Sequence, residues 1–118
     1  MIIDFHTHIF PPYVKENREK FFDDPAFKLL YSSKDSKIIT AEELISAMEK
    51  NGVTKSVTFG FPWKDEKNYK MHNDYIIESV LKFPEKLWGF CCLYPDGSKS
   101  AEKEVERCLD AGLKGVGE

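Results

Sequence analysis

The residues best suited to chemistry stand near the start of the sequence, in the segment Asp4-Phe5-His6-Thr7-His8. Alternate residues of a β-strand share one face and lie about 6.6 Å apart along the strand. His6 and His8 have this spacing, so their imidazoles can converge on one divalent ion at about 2.1 Å each. The chain has three histidines, and two in one apolar strand favour a metal-binding pair over polar residues on a solvated edge strand. Asp4, on the same face, is expected to orient a ligand histidine or the strand itself.

The element that carries this pair is predicted to be a strand over residues 1–9. Asp4, His6 and His8 would lie on one face of it, and Pro11-Pro12 would end it because proline cannot donate to a β-ladder. The stretch 10–39 that follows is too long for an ordinary connection. We expect it to be a variable loop with a lid function and helical turns around 13–22.

The rest of the chain alternates between helix and strand patterns. Thr40 and Glu43 fit a capping box at the start of a helix that Asn51-Gly52 closes. The remaining predicted elements are a strand at 53–59, a helix at about 73–82, a strand at 87–93, a helix from Ser98 or Ser100 to Gly112, and a fourth strand from Leu113. This order predicts a parallel sheet built from βαβ units.

Other chemically useful side chains are interpreted as structural. His72 precedes the helix predicted to begin near Asn73, so it is expected to cap that helix or to contact solvent. Cys91 and Cys92 lie in an apolar strand and are expected in the core, because a free cysteine behaves as a small hydrophobe. The charged run from Glu102 to Arg107 is expected to form the solvated face of the last helix.

Composition excludes several classes of protein. The 118 residues suit one compact domain, and a formal net charge of -3 with lysine and arginine spread along the chain argues against a nucleic-acid binder. No apolar run approaches the roughly 20 residues that span a bilayer. The N-terminus lacks the pattern of a secretory signal. Three cysteines, two of them adjacent, argue against a disulfide framework, so a reducing cytoplasm is expected.

The segment Met1-Ile2-Ile3-Asp4-Phe5-His6-Thr7-His8-Ile9-Phe10-Pro11-Pro12 resembles the first strand of the amidohydrolase superfamily. Later segments resemble the amidohydrolase-related branch that includes aminocarboxymuconate-semialdehyde decarboxylase, notably Phe83-Pro84-Glu85-Lys86-Leu87-Trp88-Gly89-Phe90, Leu93-Tyr94-Pro95 and Gly112-Leu113-Lys114-Gly115-Val116. The resemblance implies a (β/α)8 TIM-like barrel, which typically has about 250 residues. Residues 1–118 would then form its first half, with about four parallel strands and intervening helices.

The resemblance also implies roles for individual residues. His6 and His8 would be the first two metal ligands, and the ion would be zinc. Glu118 falls near the end of the fourth strand, where several branches place a metal-bridging lysine or glutamate; an ordinary charged residue is the equal alternative. Trp63 follows the second strand, where the substrate loops of a barrel lie, and is assigned to substrate binding. Its alternative is packing of the loop against the body of the protein.

The function implied is that of a metal-dependent hydrolase acting on a small-molecule substrate through a metal-activated water. A decarboxylase of the same family and a non-catalytic truncated module are the alternatives. The family's further ligand histidines and its water-activating aspartate lie on later strands, so we expect this chain alone to lack substantial turnover. Its open sheet edges would favour a homodimer.

Overall fold

Three parallel β-strands form the sheet, and their order in space follows their order in the sequence. The structure, a computed structural model, describes residues 1–117. β1 (Ile3–His8) pairs with β2 (Lys55–Phe59), which pairs with β3 (Leu87–Gly89). The helices, in chain order, are α1 (Pro12–Glu16), α2 (Pro25–Tyr31), α3 (Ala41–Asn51), α4 (Glu66–Lys82) and α5 (Lys99–Asp110), with a 3₁₀ helix at Arg18–Phe21. The predicted α/β architecture, with helices between parallel strands, is confirmed.

The segment predicted as a fourth strand runs beside the continuation of β3. Cys91 pairs with Val116 in parallel. The Cys91 N–H donates to the Gly115 carbonyl at 2.9 Å, and the Gly117 N–H donates to the Cys91 carbonyl at 2.8 Å. These bonds place the fourth segment in the same order as the strands before it, although its pairing is a single bridge.

Helix α3 begins and ends where its sequence predicts. The Thr40 hydroxyl accepts from the Glu43 N–H, and the Glu43 carboxylate accepts from the Thr40 N–H, which completes the capping box. Gly52 ends the helix with a φ of 68°, a left-handed conformation that glycine adopts at little cost. Leu44 and Met48 face the core.

Helix α4 begins at Glu66, well before the start predicted near Asn73. Asp65 caps it by accepting from the Lys67 N–H at 2.8 Å. The first turn carries polar residues, so the apolar periodicity did not indicate where the helix begins. His72 therefore lies within this helix, where it is fully buried. It neither caps the helix nor contacts solvent.

The stretch 10–39 is a packed cap with its own core. Two short helices and the 3₁₀ helix surround an aromatic cluster, and Arg18 donates to the carbonyls of Tyr31, Ser33 and Ser36 at 2.8–3.1 Å. The buried residues of this cluster are Phe10, Val14, Phe27, Ile38, Phe61, Trp63 and Tyr69. We call this segment with its cluster the aromatic cap. It buries enough apolar surface to be an ordered part of the domain.

The outer side of β1 is exposed in the described part of the chain. Within residues 1–117, β1 has a neighbouring strand on one side only, and the side chains of Ile2, Ile3 and Phe5 are 54%, 42% and 67% exposed. An apolar edge strand offers unpaired backbone groups to another chain. No helix among the described residues is long and apolar enough to cross a membrane.

We propose that this exposed strand makes the 118-residue chain self-associate. Size-exclusion chromatography with light scattering should give a dimer, and Phe5→Lys should shift it toward monomer, because an edge lysine opposes edge-to-edge pairing. Leu81→Lys is the matched control, since Leu81 is 71% exposed on α4, away from the edge. A monomeric parent chain, or equal effects of both lysines, would contradict the proposal.

Candidate metal centre

His6 and His8 lie at the C-terminal end of β1 with their rings on the same side. Their Nε2 atoms are 3.1 Å apart and their ring centroids 5.0 Å apart. Both rings pack edge-on against Phe59 of the neighbouring strand, with centroid distances of 5.0 and 4.6 Å. The expectation that the two imidazoles share a face is confirmed.

The hydrogen bond at Nδ1 sets the tautomer of the His8 ring. His8 Nδ1 lies 2.8 Å from the Gly60 carbonyl oxygen. A carbonyl only accepts, so Nδ1 carries the proton and Nε2 keeps its lone pair, directed toward His6 Nε2. A metal-ligating histidine commonly donates its other ring N–H to a carbonyl in this way. His8 is therefore arranged as a ligand through Nε2.

The separation of the two nitrogens suits one shared ion. Two ligand nitrogens at about 2.1 Å from an ion lie about 3.0 Å apart at a right angle and about 3.4 Å apart at a tetrahedral angle. The observed 3.1 Å falls within this interval, and in the metal-free chain it is a hydrogen bond that His6 Nε2 donates to His8 Nε2. Within residues 1–117, no third histidine, cysteine or acid joins the pair. Asp4 accepts from the His6 backbone N–H at 3.2 Å, so it supports the strand and not a ligand ring.

The other two predicted site residues stand apart from the pair. Glu118 lies outside the described residues. Trp63 is fully buried in the aromatic cap, with its ring centroid 4.6 Å from that of Phe27. Assigning Trp63 to substrate contact is therefore corrected: the cap covers its indole, and the packing alternative describes what it does.

His72 is a buried neighbour of this region that the sequence had placed at a helix end or in solvent. The Trp63 indole N–H donates to His72 Nδ1 at 3.0 Å, and His72 Nε2 lies 2.6 Å from the Ile9 carbonyl. An indole only donates and a carbonyl only accepts, so His72 is the neutral, Nε2-protonated tautomer. Burial lowers the pKa of His72 to about 4, although the bond to Ile9 opposes this shift. The position predicted for His72, just before a helix, indicated none of these contacts.

A pocket of about 300 Å³ adjoins the histidine pair. Its walls are mainly apolar and come from the aromatic cap and the end of β2. The lining residues are His6, His8, Ala26, Leu30, Tyr31, Phe61 and Pro62. Burial raises the pKa of Tyr31, with Arg18 opposing, so its phenol stays protonated near neutral pH. The pair thus faces a space that can hold the apolar part of a small molecule.

The end of β3 is held by a second buried polar group. Asn73 bonds the Cys92 backbone at both its N–H and its carbonyl, and it donates to Glu104 at 2.9 Å. Glu104 is fully buried and also accepts two bonds from Arg107. Burial raises the Glu104 pKa, but these bonds outweigh it and hold the pKa below its usual value.

The solvated face predicted for Glu102 to Arg107 is therefore wrong at Glu104. A run of charged residues in the sequence does not reveal that Glu104 has a buried partner, Asn73, on another helix. Cys91 and Cys92 are buried as free thiols, in the core as expected. They pack in different clusters, because adjacent strand residues point to opposite faces.

No family model matches this chain, and no curated protein sequence matches it. Several solved structures are similar to it. 5-Carboxyvanillate decarboxylase from Novosphingobium aromaticivorans, complexed with manganese and 4-hydroxy-3-methoxy-5-nitrobenzoic acid, superposes with a TM-score of 0.78 at 16% identity, over 98% of this chain and 40% of that one. An amidohydrolase II protein gives 0.73 at 20% identity, over 98% and 39%. A putative amidohydrolase from Staphylococcus aureus gives 0.65 at 22%, over 98% and 36%.

The chain therefore has the fold of the N-terminal part of these solved structures. The chain spans about two fifths of the length of these solved structures, as expected for a partial barrel. In such barrels the C-terminal ends of the strands form the active face. His6, His8, Gly60 and the pocket beside them lie at that end of the amidohydrolase fold.

The buried His72 predicts a specific dependence of stability on pH. Its folded pKa lies below the ordinary value near 6.5, so its contribution is present above pH 6.5 and is lost as the pH falls toward 4. With a folded pKa of about 4, the free energy of unfolding should drop by about 2 kcal/mol between pH 7 and pH 5 from this group alone. Urea denaturation at both pH values measures the drop.

His72→Gln is the control, because glutamine does not titrate while His6 and His8 remain. The variant should lose less stability than the parent over the same interval. An equal loss in both proteins would show that His72 does not resist protonation.

Proposed function

We propose that this chain supplies the first metal-binding strand of a metal-dependent enzyme of the amidohydrolase family, with His6 and His8 as ligands of one divalent ion. The observation that carries the proposal is the pair of Nε2 atoms 3.1 Å apart, one of them with its tautomer set by the Gly60 carbonyl. Their place at the C-terminal end of a parallel strand, beside an apolar pocket, supports it.

The chemistry proposed is hydrolysis of a small-molecule substrate. A bound ion would polarise the substrate carbonyl and lower the pKa of a water toward about 7. His6 and His8 would hold it through Nε2, and the bond to Gly60 keeps the His8 proton on Nδ1, away from the ligand position. Leu30 and Phe61 line this side of the pocket and would contact the apolar part of the substrate.

The proposed metal is zinc or manganese. Neutral imidazole suits zinc and several other divalent first-row metals. The 5-carboxyvanillate decarboxylase and a dihydroxybenzoic acid decarboxylase from Polaromonas were solved with manganese bound. Both ions therefore belong in the binding experiment.

Decarboxylation of an aromatic acid is the second candidate function. Two observations favour it: the similar decarboxylase structure holds a substituted benzoic acid, and the pocket here presents the rings of Tyr31 and Phe61. An aromatic ring packs well against such walls. Hydrolysis needs a group that activates water, whereas decarboxylation needs one that holds a carboxylate.

We expect the chain to bind zinc and manganese weakly, because two histidines supply half of a tetrahedral shell. Isothermal titration should give a measurable affinity of the parent chain for each metal. The affinity of the His6→Ala/His8→Ala double variant should be lower by at least about 10-fold. Phe5→Ala, a solvent-exposed change next to His6, should bind like the parent chain. Equal binding by parent and double variant would refute the metal assignment.

The two candidate reactions are separated by assay. The 118-residue chain, with added zinc or manganese, should show no substantial turnover of amides, esters, lactones or aromatic carboxylates. A protein in which this chain is joined to the remaining strands of a barrel should hydrolyse amides, esters or lactones. His6→Ala should lower the rate of that hydrolysis by at least about 100-fold. Release of carbon dioxide from aromatic carboxylates alone would favour decarboxylation, and no His6-dependent turnover of either kind would favour a non-catalytic module.

A further inference from the structure

His8 Nδ1 bonds the Gly60 carbonyl, so the position of Gly60 bears on which nitrogen His8 presents. The 2.8 Å bond from His8 Nδ1 reaches across from the end of β1 to the residue that follows β2. A shift of the Gly60 backbone that broke this bond would remove the acceptor that holds the proton on Nδ1, and a proton on Nε2 would block ligation. The tautomer of His8 therefore depends on the contacts that fix the Gly60 backbone.

Gly60 packs directly against the ring of His72. A Cβ atom added at position 60 would lie 2.5 Å from His72 Cδ2, 2.6 Å from Cγ and 2.7 Å from Nε2, distances that a real Cβ does not tolerate. The φ of Gly60 is not positive, so space requires glycine here and conformation does not. The backbone after β2 therefore rests on the face of this imidazole.

The His72 ring is itself held at both nitrogens. Trp63 donates to Nδ1, and Nε2 donates to the Ile9 carbonyl at 2.6 Å. Ile9 is the residue after His8, so His72 touches the chain immediately beyond both strands. The direct backbone bond between these strand ends, from the Ile9 N–H to the Phe59 carbonyl, is long at 3.4 Å. His72 supplements it with a shorter bond.

We propose that His72 is a positioning residue for the metal pair: it holds Ile9 and Gly60 so that His8 keeps its proton on Nδ1 and presents Nε2 to the ion. Trp63 serves the same purpose one step further away, by fixing the orientation of the His72 ring. The metal part of this inference rests on the proposed function; the tautomer part stands on the geometry of the metal-free chain.

The test measures His8 and metal affinity separately. In the metal-free parent, ¹⁵N NMR of the ring nitrogens should show His8 protonated at Nδ1 and His72 at Nε2. His72→Phe keeps a ring against Gly60 but removes both hydrogen bonds, so His8 should become a mixture of tautomers. Zinc and manganese affinity should fall by roughly 10- to 100-fold, the usual effect of losing a group that orients a ligand.

His72→Gln is the conservative variant, because its amide can still donate to the Ile9 carbonyl, and it should retain most of the affinity. Ile76→Ala is the matched control for stability, since Ile76 is fully buried one turn further along α4. It should unfold more easily yet keep the His8 tautomer. If His72→Phe does not fold, Trp63→Phe tests the same link, with a weaker loss of the Nδ1-protonated form expected.

Two results would overturn the inference: an unchanged His8 tautomer in the folded His72→Phe or Trp63→Phe variant, or a loss of metal affinity in Ile76→Ala as large as in His72→Phe. Failure of the proposed function looks different. In that case the parent chain would bind neither ion through His6 and His8, while the tautomers of His8 and His72 would still respond to the substitutions as described.

Discussion

The imidazole of His72 fills the space between the ends of β1 and β2, and the proposed positioning of His8 as a metal ligand depends on that contact. Parallel strands end at a common edge, so the residues that follow them meet there without a regular ladder to bond their backbones. His72 accepts from an indole and donates to Ile9 while its face supports Gly60. One side chain thereby connects a helix, two strand ends and the aromatic cap.

Helix α4 satisfies the backbone after both outer strands through two consecutive residues. His72 bonds the Ile9 carbonyl after β1, and Asn73 bonds the Cys92 backbone after β3. A buried polar group is costly unless it finds a partner, and here each group bonds the backbone beyond a strand end. The buried polar residues of α4 therefore order the edge of the sheet on which the site lies.

The aromatic cap contributes in two ways. It encloses Trp63, which orients His72, and it supplies Leu30 and Tyr31 to the pocket beside His6 and His8. The segment predicted as a variable loop with helical turns thus packs behind the histidines through Trp63 and His72, and it forms a wall of the pocket beside them.

Sequence alone determined the features that depend on neighbours along the chain. The spacing of His6 and His8 places them on one face, Thr40 and Glu43 form their capping box, and alternating helix and strand patterns indicate the parallel α/β fold. These follow from the period of a strand and the unsatisfied N–H groups of a helix, which are local properties.

The tertiary structure decided the residues whose partners are distant in sequence. His72 and Ile9 are 63 positions apart, and Asn73 and Glu104 are 31 apart. Spacing within one helix cannot reveal such partners, so His72 was expected at a helix end and Glu104 in solvent. Trp63 was assigned to substrate for the same reason: whether a loop aromatic lines a pocket or is covered depends on what packs over it, and here the aromatic cap does.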